Sequence, residues 1–197
     1  MAVDLSTLTA GFDQPVREAQ VVFRGVLDAM ARPGTPIVLA GTDRLGGFGA
    51  AGAIALTLLD FETPVWLGSE RDGIFANWLR FHCGCPLASD VGSAAFVFLS
   101  AAELPDLAVF NAGTEKFPDT AATLVISVPA LAGGTALTLE GPGVDGRVTF
   151  APQGLSPDFW AQAAENRARF QLGVDILFAT GDEIIGLPRS THIYQEG

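Results

Sequence analysis

The stretch from Gly173 to Ile193 ends in Arg189-Ser190-Thr191-His192, in a chain with few cations to spend there. Lys and Arg together number 11 against 22 Asp and Glu, with 2 His, and the net charge is −11. The planar fork of an arginine suits carboxylate or phosphate, and a histidine beside it can give or take a proton near neutral pH. Arg189 and His192 therefore outline an anion pocket. Asp175, among Val174, Ile176 and Leu177, is the natural counter-charge. If the strands on either side of Thr180-Gly181-Asp182 pair antiparallel, Asp175 meets Arg189 at the open end of the hairpin. A carboxylate in such apolar company needs a cation or several hydrogen bonds. The plain reading is a structural salt bridge that pins the hairpin. The chemical reading is an Arg–His pocket for an anionic group.

A second cluster is "RFHCGC", residues 80–85. His82, Cys83, Cys85 and the distant His192 would make four zinc ligands. The C-x-C spacing is tighter than the usual C-x₂-C, and two small buried thiols at a helix end are the simpler account. "GPGVDG" (141–146) follows a strand, but the next residues, "RVTFA", read as another strand. A phosphate loop needs a helix there, so a tight hairpin with glycines at positive φ is favoured. Lys116 in "GTEKFPD" is the one lysine, so a Schiff-base cofactor would have to sit there, on what reads as an exposed loop. The sequence holds no G-x-S-x-G elbow, no P-loop, no H-E-x-x-H and no carboxylates at metal spacing.

Stepwise hydrophobic patterning supplies the elements that must position these residues. Residues 15–31 predict a helix, with Asp13 or Gln14 as cap, Pro15 in the first turn and Pro33-Gly34 beyond its end. Its expected core face is Val16, Ala19, Phe23, Val26, Leu27 and Met30. Residues 47–61 are apolar nearly all round, as in a buried helix. Helices are also expected over 72–82, with Asp72 as cap, over 102–110, and over 156–170 with Ser156 as cap and Pro157 first. Strands are expected near 37–40, 64–68, 94–100, 122–128, 135–141 and 147–151, followed by the closing hairpin. Strands alternating with helices, then hairpins, give an α/β layered domain with a mixed sheet.

A chain of 197 residues is most simply one domain, 1–197, able to bury a real core. The longest apolar stretch, Ala50 to Leu59, is too short to span a membrane. No basic region followed by an apolar one marks a signal peptide, and the two cysteines suit a reducing cytoplasm, so a cytoplasmic protein is expected. The arginines are scattered, so neither a row of phosphates nor an anionic membrane surface is an expected partner. With 49% hydrophobic and 17% charged residues, the chain reads as having a large core or a surface that faces a partner.

Several stretches, taken in order, resemble one family across nearly the whole chain: "GFDQPVREAQVVFRGVLDAMARPG" (11–34), "ALTLLDFETPVWL" (55–67), "WLRFHCGCPL" (78–87), "ATLVISVPALAGG" (122–134), "LTLEGPGV" (137–144), "FQLGVDILF" (170–178) and "LPRSTHI" (187–193). This is the PhnH family, the H subunit of the bacterial carbon–phosphorus lyase system. The resemblance implies a three-layer α/β/α domain with a mixed sheet, similar to the large domain of pyridoxal-phosphate-dependent transferases but without that cofactor; no cofactor and no metal are expected. It implies a homodimer when alone and an assembly with the G, I and J subunits. That assembly joins a phosphonate to the ribose of ATP, displaces adenine and yields a ribose phosphonate triphosphate. Cys83 and Cys85 are not part of the family pattern. The expected functional surface is Arg80, His82, Asp175, Arg189 and His192, lining a substrate pocket or fixing the C-terminal segment against a partner. The alternative is a free-standing enzyme in which Arg189 and Arg80 hold a phosphonate or phosphate ester and His192 serves as acid or base.

Overall fold

The computed structural model describes residues 9–69 and 73–195. Pro15 opens α1 (Pro15–Ala31); Gln14 precedes it but its side chain makes no capping bond. Next come β1 (Ile37–Val38), α2 (Gly49–Leu58), β2 (Val65–Leu67), α3 (Ile74–His82), β3 (Phe96–Ser100) and β4 (Thr123–Ser127). The chain continues with β5 (Leu137–Glu140), β6 (Val148–Phe150), α4 (Pro157–Ala168), β7 (Asp175–Thr180), β8 (Glu183–Leu187) and β9 (His192–Gln195). The expected Asp72 cap lies outside the described residues.

Six strands form a mixed sheet in the order β1-β8-β7-β4-β3-β2, in which β2, β3, β4 and β7 are parallel. The hairpin partner β8 runs antiparallel to β7, and β1 antiparallel to β8. A separate antiparallel sheet has the order β6-β5-β9. The parallel strands are buried on both faces, which is why they read as continuous apolar runs. Val65, Leu67, Phe98, Val125 and Leu177 face a core built with α1, α2 and α3. Val97, Leu99, Leu124, Ile126, Ile176 and Phe178 face a second core with α4, β5 and β6. One covering layer is therefore helical, and the other combines α4 with the small sheet.

Two local expectations are corrected. The residues of α1 that reach the core are Val22, Val26 and Ala29, whereas Val16, Phe23 and Leu27 are 90%, 45% and 52% exposed. Val26 and Met30 of the expected face do pack on the core, so the buried stripe is the expected one rotated toward Val22 and Ala29. The span 102–110 is two short 3-10 turns, Ala101–Glu103 and Leu107–Val109, separated at Pro105, whose missing N–H ends the first. The segment after Arg189 is a strand: β9 pairs with β5, Ile193 opposite Leu139 and His192 opposite Glu140. Residues 141–146 form the hairpin between β5 and β6, with Gly141, Gly143 and Gly146 at positive φ. No helix among the described residues is long and apolar enough to cross a membrane.

Candidate functional site

Asp175 opens β7 and Arg189 stands just past the end of β8, where the register pairs Ile176 with Leu187. The hairpin thus brings the two side chains together. The Nη2 of Arg189 donates to Oδ2 of Asp175 at 2.5 Å, and its Nε reaches Oδ1 and Oδ2 at 3.2 and 3.1 Å. The backbone N–H of Arg189 also donates to Oδ1, at 2.8 Å. Nη1 donates to the carbonyl of Pro118 at 2.8 Å and to that of Gln171 at 3.4 Å. The side chains are only 14% and 21% exposed. Every nitrogen of the guanidinium is engaged, at Asp175, Pro118 or Gln171, so this arginine is a clamp and does not present a fork to a ligand.

His192 does not join that pair. Its Nε2 lies 2.9 Å from Nη2 of Arg167 on α4, and its ring stacks on Tyr194 at 6.3 Å and 13°. The guanidinium of Arg167 also lies over the Phe170 ring at 5.1 Å. Arg167 was not among the expected residues; the contact joins a helix to a strand far along the chain, and no local pattern announces it.

Arg80 and His82 lie on α3, in the helical layer across the sheet from α4. Nη1 of Arg80 donates to Oδ1 of Asn77 at 3.1 Å on the surface. Nε2 of His82 donates to the carbonyl of Thr9 at 3.1 Å, as does Nε1 of Trp78, and the His82 ring packs on Trp78. His82 and Trp78 strap the segment around Thr9 and Gly11 to α3. Among the described residues no hydrogen bond or ion pair links them to Asp175, Arg189 or His192. The five expected residues thus divide into a clamp (Asp175 and Arg189), a strap residue (His82), a surface arginine (Arg80) and a surface histidine (His192) rather than one pocket.

The four soft side chains considered for zinc are likewise divided, and among the described residues no group of three or more His, Cys, Asp or Glu could hold a metal. The thiol of Cys83 donates to the carbonyl of Ala55 at 3.6 Å. Burial, then the neighbouring Cys85, pushes it up to about 12, far from a reactive thiolate. Burial also raises Cys85. Lys116 is exposed and stands over the Phe117 ring at 5.1 Å, in the loop that leads into the amino end of β4. A pyridoxal phosphate held there would lie outside any crevice, so the residues do not fit that group.

The concave surface lies elsewhere. Two adjoining cavities of about 500 and 440 Å³ open at the carboxyl ends of the parallel strands, both walled by Ser127 at the end of β4. Asp175 starts β7 and Thr180 ends it beside the larger cavity, so the clamp and the crevice stand roughly 17 Å apart along the strand. Glu103 closes one side. It accepts from the N–H of Ser69 at 3.1 Å and from Oγ of Ser100 at 2.7 Å. The bonds to Ser69 and Ser100 hold its carboxyl down at about 2. The sequence carried a signal for this edge: the runs FVFLS, TLVIS and DILFAT each end in a hydroxyl residue, and the register sets Ser100 beside Ser127.

Across the whole sequence, residues 10–194 match the family described as bacterial phosphonate metabolism protein (PhnH). The chain belongs to the PhnH family. It is 37% identical to the alpha-D-ribose 1-methylphosphonate 5-triphosphate synthase subunit PhnH of Rhizobium meliloti (strain 1021), with 100% of both chains covered. It is 32% identical to the putative C-P lyase subunit protein HtxG of Stutzerimonas stutzeri, over 90% of this chain and 87% of that one. The PhnH fold in this chain is an α/β layered arrangement on a mixed sheet, as the resemblance implied in its coarser form.

Proposed function

We propose that this PhnH chain is a subunit of a carbon–phosphorus lyase assembly. It acts with G, I and J partner subunits in converting ATP and an alkylphosphonate to a ribose 1-phosphonate 5-triphosphate, and it pairs with a second copy of itself when those partners are missing. The observation that carries the reading is the end-to-end match to a relative named as a synthase subunit. Two structural features support it. The arginine best placed to hold an anionic substrate is consumed in a clamp, which weighs against a free-standing Arg/His enzyme. The outer stripe of α1 leaves Val16, Phe23 and Leu27 in solvent at helical spacing, as an interface helix does. The finer kinship to the large domain of pyridoxal-phosphate transferases, without the cofactor, is part of the same reading, as is a single domain over 1–197.

The test is co-expression of the tagged chain with the G, I and J proteins, with the mass of the chain alone measured in parallel. A stable heteromeric complex is expected, and a dimer when alone. A chain that ignores all three partners, or that turns over a phosphonate unaided, would overturn the proposal.

A further inference from the structure

The crevice at the carboxyl edge of the sheet has a position and a chemistry that point to a ligand. Its two cavities, of about 500 and 440 Å³, share Gly47, Phe48, Ala51 and Ser127 as walls. That size suits a small organic molecule. The chain leaves β2 through α3, in the helical layer, and leaves β3 through turns whose Leu107 and Phe110 pack in the opposite core. Successive connections therefore part to opposite faces at the ends of β2 and β3. The crevice also lies outside the carboxyl ends of the parallel strands, the edge at which open α/β sheets bind ligands.

The walls differ from end to end. The smaller cavity has an aromatic floor: Phe75 lies 4.8 Å from Phe48 and 5.6 Å from Phe98, centroid to centroid. The larger one is rimmed by Asp43 and Asp182. Between them, the Ser127 hydroxyl makes no hydrogen bond with any described residue. Among the described lining residues there is no Lys or Arg. A phosphate would meet carboxylates there and no cation. A planar ring would find the phenylalanines, and hydroxyl groups attached to it would find a serine and acidic acceptors.

We propose that this crevice binds an unphosphorylated nucleoside, its base toward Phe48 and Phe75 and its sugar hydroxyls toward Ser127 and Asp182. The inference does not depend on the subunit reading, and the pull-down above and the titration below fail independently. The probes are adenosine and ATP, each titrated calorimetrically into the purified chain. Adenosine is expected to bind and ATP to bind at least about tenfold more weakly. Ser127→Phe, which fills the shared wall, should abolish adenosine binding without lowering the melting temperature. No adenosine binding at millimolar concentration, ATP binding as tightly, or binding that survives Ser127→Phe would overturn the proposal. If that variant misfolds, amide shifts in the wild-type chain decide: adenosine must move Ser100, Ser127 and Thr180, and shifts confined to other regions would overturn it equally.

Discussion

Arg167 donates from Nη2 to Nε2 of His192 across 2.9 Å. A guanidinium has hydrogens to give and no lone pair to offer, so Nε2 must be the acceptor and the ring proton must sit on Nδ1. The contact therefore selects a tautomer of the imidazole. The expected result is a ¹⁵N spectrum of His192, recorded at mildly alkaline pH, that shows the Nδ1–H tautomer, reverting to the mixture of a free imidazole in Arg167→Ala. A wild-type Nε2–H signal would contradict the geometry.

The Arg189 clamp makes a stability prediction. Removing one partner of a largely buried ion pair leaves the other charge without its hydrogen bonds, at a cost of about 3 kcal/mol. For a domain of this length that is a fall of roughly 6–12 °C in melting temperature. Arg189→Ala and Asp175→Asn should each show a loss of that order by calorimetry, and the double variant should lose much less than their sum. Arg189→Lys should recover little, because a point charge cannot reach Asp175, Pro118 and Gln171 together. Unchanged melting in Arg189→Ala would mean the guanidinium is free for other work.

Glu103 predicts a response to acid. Its carboxyl is held at about 2, below its ordinary 4.5, first by the bond to Ser69 and then by that to Ser100. A depressed folded value gives stability that is present above the unfolded value and lost as the pH falls through the folded one. The wild type should therefore lose this contribution between about pH 4.5 and 2. Glu103→Gln should be less stable at neutral pH, and the gap should close on acidification through that window. The site is well exposed to solvent, so the difference should be small and should shrink with added salt. A gap that is constant with pH would rule out the ionised carboxylate as its source.

The exposed stripe of α1 predicts an association phenotype. Phe23→Glu with Leu27→Glu places charge where the proposed reading puts an interface. Light scattering should give a smaller particle than wild type, with the same circular dichroism, because neither side chain reaches the core. If mass and partner capture are both unchanged, the stripe is not an interface.

Much of this fold was legible because its punctuation is local. Pro15 and Pro33-Gly34 bracket α1 at its observed bounds, and Thr180-Gly181-Asp182 marks the turn that makes Asp175 and Arg189 neighbours. What failed was the centre of the face, since Val26 and Met30 reach the core but Val16, Phe23 and Leu27 do not. Val16, Phe23 and Leu27 are as periodic as Val22, Val26 and Ala29, and only the position of the sheet decides between them. The grouping of Arg80 and His82 with His192 failed for a similar reason. Like residue types far apart in sequence invite pooling, but Arg80 and His82 lie on α3 and His192 on β9, on opposite sides of the main sheet. The crevice was missed because each wall comes from a different segment, although the hydroxyls closing three apolar runs marked its edge.

The two margins of the main sheet are nearly closed to further pairing. One is β1, a strand of 2 residues. The other is β2, of 3 residues, where the backbone of Val65 already exchanges bonds with Pro86 and Ala88. Short or covered margins give an incoming strand little to hydrogen-bond with. Assemblies of this chain therefore gain little by lengthening the main sheet and more by fitting side-chain surfaces together. The same arrangement keeps the apolar main sheet from templating an added strand while its helical surfaces remain open to specific neighbours.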